Sequence, residues 1–236
     1  MDLTLICQRK RLFIGEVEFD RASDRWIPWA AQHGFEALII SPTEELFTLE
    51  RMGDHVSGRR KKILALAEQH HLEIEEGGFC LSRFVPRRLF MKNRDLFRMH
   101  EGHRRPDYNF CPTNPDTIDL LATNARKFFQ TRIERQVFHL WPDLGPEEGW
   151  CSCPTCRAFT PLEQTIMATN VLADVLASIS DTAYLSYLLP DTTESTIKGR
   201  PNIFPLPYAS RKPMLEQHGW VIAAPKLLSP SLPGPS

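Results

Sequence analysis

The chain has 236 residues, long enough to bury a full core, and 42% of them are hydrophobic. Lys and Arg number 28 against 29 Asp and Glu, a balance that points away from nucleic acid and acidic lipid as partners. No run reaches the roughly 18 apolar residues of a membrane span, and the N-terminus MDLTLICQRKRLF lacks an apolar core with a small-residue cleavage site. These features read as a soluble protein without an export signal, cytoplasmic by default.

In chain order, residues 13–19 (FIGEVEF) alternate as a strand would, with Glu16 and Glu18 on one face and Val17 and Phe19 on the other. Glu18 is therefore a candidate ligand contact near the end of a first strand. Ser23 then precedes Trp26, Trp29, Ala30 and His33 at helical spacing, and Gly34 supplies the stop. That spacing turns both tryptophans towards a core and makes His33 a packing residue. Residues 35–40 (FEALII) form a continuous apolar run before Ser41-Pro42, as expected of a strand covered on both faces.

The basic cluster Arg59-Arg60-Lys61-Lys62 opens an apolar-periodic segment and reads as a solvated helix face. That helix closes near His70-His71, and residues 72–80 (LEIEEGGFC) give a third strand. Residues 81–110 carry no periodic pattern but are rich in Arg, Phe and His. So long a connection, with this aromatic content, is expected to be a substrate-side loop, with His100, His103 and Arg104 as candidate contacts.

Asn114-Pro115 is a cap followed by proline at the first helical position, and Ile118, Leu121, Ala122, Ala125 and Phe129 form the buried stripe of that helix. Residues 135–141 form the next strand. It contains His139 and Trp141 and runs into Pro142-Asp143, so Asp143 stands at a strand end, where α/β proteins place their chemistry. Thr160-Pro161-Leu162-Glu163 is a capping box opening a further helix. Residues 184–189 (YLSYLL), 202–208 (NIFPLPY) and 220–224 are the remaining strand candidates, ahead of a Pro/Ser tail over 226–236 expected to be disordered.

Strand and helix alternate throughout, which predicts a parallel sheet wrapped by helices, open or closed into a barrel. A single domain is expected over residues 1–225. Cys151, Cys153 and Cys156 cluster in C-x-C-x-x-C spacing, and Cys111 is available as a fourth partner. Three readings stand side by side: a structural zinc site, free thiols, or one disulfide joining Cys111 to the cluster. No cofactor is otherwise required.

Taken together, LFRMHEGHRR, NFCPTNPDTIDLLATNARKFF, VFHLWPDLGPEEGWCSCPTCRAF and YLSYLLPD resemble the domain-of-unknown-function family DUF4838. This is a bacterial group placed near α-glucuronidases and hexosaminidase-like glycoside hydrolases. The resemblance covers roughly residues 90–211. It implies a TIM-barrel-like (β/α) fold and carbohydrate as the partner, with Asp143 as a catalytic or sugar-binding carboxylate and Trp141 as a ring on which a sugar stacks. Arg104, Asn114, Cys111, Cys151, Cys153 and Cys156 match recurrent family positions of unassigned role. A complete barrel takes roughly 250 residues, whereas the sequence offers six or seven strands, so an incomplete, C-terminally shortened barrel is expected.

Glycoside hydrolysis needs two carboxyl groups flanking the scissile bond. The sequence offers Glu147, Glu148 and Glu18 as partners for Asp143, although the first two sit in a Gly-Pro turn context that reads equally as solvated loop. Two alternatives to an O-glycosyl hydrolase remain: a non-catalytic or degenerate carbohydrate-binding barrel, and a zinc-stabilised interaction module.

Overall fold

The computed structural model describes residues 3–41, 60–132, 135–143, 149–190, 195–208 and 220–222. The strands are β1 (Arg11–Gly15), β2 (Ala37–Ser41), β3 (Glu73–Phe79), β4 (Met99–His100), β5 (His103–Arg104), β6 (Val137–Trp141), β7 (Tyr184–Pro190), β8 (Ile203–Tyr208) and β9 (Trp220–Ile222). Five α-helices accompany them: α1 (Leu3–Gln8), α2 (Glu16–Gln32), α3 (Arg60–Gln69), α4 (Pro115–Gln130) and α5 (Pro161–Ala177).

Seven strands form one sheet in the order β8-β7-β6-β3-β2-β1-β9, and every pairing in it is parallel. β4 and β5 form a separate antiparallel ribbon between β3 and β6. Within the large sheet each strand up to β8 lies beside its predecessor in the chain, and β9 returns to pair with β1. That is the cyclic order of a (β/α) barrel. Among the described residues β8 and β9 share no hydrogen bonds, so the ring has an open seam there.

Alternation along the strands divides the core into an inside and an outside. Phe13, Ile39, Val137, Trp141, Leu188, Phe204 and Leu206 pack together inside the curved sheet, and Ile6 of α1 joins them from the N-terminal end. On the outer face, Leu12, Ile14, Leu38, Ile40 and Ile74 meet α2 and α3, while Phe138, Leu140, Leu185 and Ile203 meet α4 and α5. β2 and β6, covered on both sides, are buried along their whole length and are apolar at every position but Ser41 and His139.

The inner face also carries a polar network. Arg11 places Nε 2.6 Å from Glu75 Oε2 and Nη2 3.2 Å from Oε1, and His139 Nε2 lies 2.7 Å from the same Oε2. On the other side of the ring, His139 Nδ1 is 2.6 Å from Ser186 Oγ, which accepts Trp141 Nε1–H at 2.8 Å. An indole can only donate and an ionised carboxylate can only accept, so with a neutral imidazole between them the direction of the chain is set. Trp141 donates to Ser186, Ser186 donates to Nδ1, and His139 donates from Nε2 to Glu75. All five side chains are at most 1% exposed.

Two elements depart from the sequence reading. The alternating segment 13–19 is a strand only to Gly15, after which helix α2 begins. Phe19, Trp26, Ile27 and Ala30, all buried, follow helical spacing, and burying that stripe outweighs the short alternation. The helix breaks at Ala22 (φ −151, ψ 39), so its second part starts at Ser23, where the sequence placed the cap. The long segment 81–110 is built from three 3-10 turns and the β4–β5 ribbon, and Leu81, Phe84, Val85, Leu96, Phe97 and Phe110 bury it against α4 and α5.

No described helix is long and apolar enough to cross a membrane. The expected tail over 226–236 lies outside the described residues.

Candidate functional site

Asp143 follows the last residue of β6 by two positions, at the C-terminal end of the sheet. That strand end is firmly held. Trp141 stacks on Phe13 with ring centroids 5.5 Å apart, meets Phe79 edge-on, and is tied by its indole N–H to Ser186. Beyond it, Asn109, fully buried, grips the backbone on both sides of the loop. Its Oδ1 accepts from Asp143 N at 2.9 Å, and its Nδ2 donates to Asp143 O at 3.0 Å and to Gly149 O at 3.1 Å. Gly149 has φ +70, and a Cβ there would lie 2.9 Å from Asp143 O, so the two ends of the loop close only around a glycine.

The carboxylate itself is half-buried, 26% exposed, with Oδ2 at 3.3 Å from Arg87 Nη2. Arg87 also donates to the carbonyl of Tyr108. An ion pair this exposed contributes only ~0–1 kcal/mol, so a ligand hydroxyl can replace Arg87 at little cost. The neighbouring Cys80 thiol is pushed up to about 12, chiefly by its burial and further by the Asp143 charge, which rules it out as a nucleophile.

The structure redistributes several sequence candidates. Trp141 is 1% exposed and enclosed by Phe13, Phe79 and Ser186, so it offers no ring face to a sugar. The expectation of stacking is corrected: this tryptophan anchors the strand that carries Asp143. His139 is also fully buried, and burial lowers its pKa despite the Glu75 contact, so it is a neutral link of the inner network and not a ligand contact. Asn114 caps α4, accepting from Thr117 N at 3.3 Å and donating to Asp95 O at 3.0 Å. Arg104 donates to Phe97 O at 2.7 Å and faces Cys151 Sγ at 3.7 Å, which assigns it to the cysteine cluster. His100, with Glu101 4.0 Å away, and the exposed His103 sit on the β4–β5 ribbon. Glu18 lies in α2 and not on a strand, and its side chain, like Glu147 and Glu148 as a whole, lies outside the described residues.

Asn109 and Arg87 escaped the sequence reading. Asn109 opens the NFCPTNPD segment without a role being read for it and Arg87 occupies no motif; both matter because the fold brings residues 34 and 56 positions apart into contact with Asp143. Ser186 did carry a signal, as a polar residue at an inward position of the otherwise apolar β7, whereas Glu75 is one of three glutamates in β3 and nothing local sets it apart.

Beside the loop, Cys111, Cys151, Cys153 and Cys156 are all buried, and their sulfurs lie within 4.8 Å of one another. Cys111 Sγ is 3.7 Å from Cys156 and 3.9 Å from Cys153. Met99 N donates to Cys151 Sγ at 3.2 Å, and Thr113 Oγ1 lies 3.1 Å from Cys156 Sγ. Hydrogen bonds from Cys151 and Cys156 push the Cys111 thiol down, while the contact with Cys111 pushes Cys151 up to about 11 and also raises Cys156. The four residues form a group able to hold a metal ion.

No protein-family model matches the chain, and no curated protein matches it. Among solved structures, one from a study of the pneumococcal virulence factor StrH, concerned with N-glycan recognition and hydrolysis, is similar with a TM-score of 0.53 and 7% identity. It matches 94% of this chain, which spans 62% of the length of that structure. A GH36 α-galactosidase from Geobacillus stearothermophilus is similar over 76% of this chain and 27% of its own, with a TM-score of 0.43 and 10% identity. A β-N-acetylhexosaminidase matches over 77% and 46%, with a TM-score of 0.43 and 13% identity. At 7% identity what the first of these shares with the chain is the fold alone, a parallel α/β arrangement.

Proposed function

We propose that this chain carries the site of a carbohydrate-active barrel protein of the glycoside hydrolase type, with Asp143 as its central carboxylate and kinship to DUF4838. One observation carries the reading. A half-exposed carboxylate stands at the C-terminal end of a barrel-ordered parallel strand, its backbone fixed on both sides by a buried amide. A carboxyl group held this way can accept from a sugar hydroxyl, protonate a leaving oxygen or attack an anomeric carbon. Hydrolysis needs a second carboxyl group about 5–10 Å away, and Glu147, Glu148 and Glu18 are the residues we assign to that search.

The contact between Arg87 and Asp143 favours a second reading, a barrel that binds sugar without cleaving it. Side by side, a guanidinium and a carboxylate donate to and accept from vicinal hydroxyls with no chemical step. Assays of the protein and its Asp143→Asn variant on a panel of aryl glycosides and free oligosaccharides separate the two. Cleavage by the parent that falls by about two orders of magnitude or more in the variant supports hydrolysis. Binding without cleavage, weakened in the variant, supports the binding reading. Cleavage unchanged in the variant removes Asp143 from the mechanism, and absence of both cleavage and binding sinks the carbohydrate proposal.

A further inference from the structure

We propose that Cys111, Cys151, Cys153 and Cys156 hold one zinc ion in a four-thiolate site, and that this centre sets the position of the loop carrying Asp143. The first part stands on the cysteine geometry alone. The second part, insofar as it concerns sugar, rests on the carbohydrate reading above.

Tetrahedral zinc with Zn–S bonds of about 2.3 Å separates its sulfurs by about 3.8 Å. The separations of 3.7 and 3.9 Å from Cys111 match that edge, and no pair in the cluster reaches the ~2.05 Å of a disulfide. Three ligands come from one tight turn, closed by Arg157 N donating to Cys153 O at 3.0 Å, and the fourth comes from the loop after β5. Their surroundings are those of thiolate ligands. The Met99 amide donates to Cys151 Sγ, the Arg104 guanidinium lies 3.7 Å from that sulfur, and Thr113 Oγ1 stands 3.1 Å from Cys156. Four thiolates around a divalent ion leave a net charge of minus two, which Arg104 offsets in part. Gln164 fixes the Cys151 backbone from both sides, with Cys151 N donating to Oε1 and Nε2 donating to Cys151 O, each at 3.1 Å. A complete set of four protein ligands leaves no open position for water, so the site is structural.

The link to Asp143 is short. Cys111 lies two residues beyond Asn109, whose amide holds the Asp143 backbone, and Cys151 lies two residues beyond Gly149, which shares that amide. The ion therefore cross-links the two segments that brace the candidate carboxylate. Without it, Ser152 N and Oγ tie the turn to Met99 O of β4, and the loop after β5 is held to it by Asn109 and by the contact of Thr113 with Cys156.

The test begins with elemental analysis of the full chain purified under reducing conditions without added metal. One zinc per chain is expected, released by a mercurial reagent that titrates the four thiols. Exchange for cobalt(II) is expected to give the sulfur-to-cobalt charge-transfer absorption and intense visible bands of tetrahedral thiolate coordination. Cys111→Ser should lose zinc or alter those bands, whereas Cys7→Ser, at an exposed cysteine outside the cluster, should retain both. Amide exchange at Asp143 follows the second part: removing the metal from the parent protein should accelerate it at least several-fold, whatever ligand the loop binds. A folded protein that carries no zinc and takes up no cobalt, or that shows a disulfide among these cysteines by mass, overturns the metal site. Unchanged Asp143 exchange on zinc release overturns the positioning role. Neither outcome depends on whether a sugar is cleaved.

Discussion

Replacing Glu75 with glutamine removes the charge on which the inner network turns. Glu75 is 1% exposed and Arg11 fully buried, so the substitution leaves a guanidinium in the interior without its main counter-charge. Arg9 also approaches Glu75, with Nη1 at 3.1 Å from Oε1, and its repulsion of Arg11 is then less well compensated. The new amide cannot repair the network. An NH2 at the Oε2 position faces the Arg11 Nε–H and the His139 Nε2–H, donor against donor. Turning it round sets it against Nη2–H instead, and a tautomer change at His139 relieves only the imidazole: the Arg11 Nε–H still meets the amide NH2, and the Ser186 hydroxyl loses Nδ1 as its acceptor.

Breaking a buried ion pair from one side costs about 3–5 kcal/mol. For a chain of this length each kcal/mol moves Tm by roughly 2–4 °C, so Glu75→Gln should lower Tm by about 10 °C in calorimetry at neutral pH. The double variant Glu75→Leu, Arg11→Met should recover most of that loss. The pH dependence gives a second reading of the same network. Burial alone would raise the Glu75 pKa, but the His139 hydrogen bond and the Arg11 charge outweigh it and hold the carboxyl at about 2, below its ordinary 4.5. A depressed carboxyl contributes stability above its unfolded pKa. Here that is about 3 kcal/mol, lost as pH falls from 4.5 towards 2. His139, lowered by burial, adds in the same direction, because the unfolded chain takes up its proton first on acidification. A Tm change under about 2 °C in Glu75→Gln, with an acid limb unchanged from the parent, would refute this account of the interior.

Two other substitutions test the frame around the site. Gly77 has φ +131, and a Cβ there would lie 1.8 Å from the His139 carbonyl oxygen. Gly77→Ala must push β3 away from β6, so loss of soluble folded protein, or a fall in stability beyond about 4 kcal/mol, is expected in denaturant titration; a near-neutral effect would contradict the pairing. Thr160 caps α5, with Glu163 completing the box. Thr160→Ala should cost about 1 kcal/mol, measurable as a shift in the urea midpoint without a change in slope, and no shift would show that Glu163 and Pro161 suffice to start the helix.

The sequence made most of the frame legible because it is written in local signals. β2, β6, β7 and β8 are largely apolar runs bounded by turn residues, β3 is marked by alternation that ends in Gly77-Gly78, and α4 and α5 begin at the cap residues that the sequence marks. The first strand was misplaced at its end because FIGEVEF alternates over a window too short to outweigh the helical stripe that continues to Ala30. Trp141 was misread for a related reason. Its place two residues before Asp143 suggested a shared surface, but Trp141 is the last residue of β6 and its inward position buries it on Phe13, whereas Asp143 lies beyond the strand. The brace from Asn109 and the partner Arg87 could not be read locally, since both contacts depend on how the 81–110 segment folds back over β6. The cysteine spacing was visible, but the meeting of all four sulfurs in one buried group depends on how the loop after β5 packs against the turn.

The most direct test of the central claim is a crystal structure of the protein soaked with a saccharide or iminosugar selected by the binding panel. The account predicts a ring bound beyond the end of β6, with a hydroxyl or imino group within hydrogen-bonding distance of the Asp143 carboxylate and Arg87 shifted from its present contact. A sugar bound at another surface, with the pair of Asp143 and Arg87 undisturbed, would contradict it.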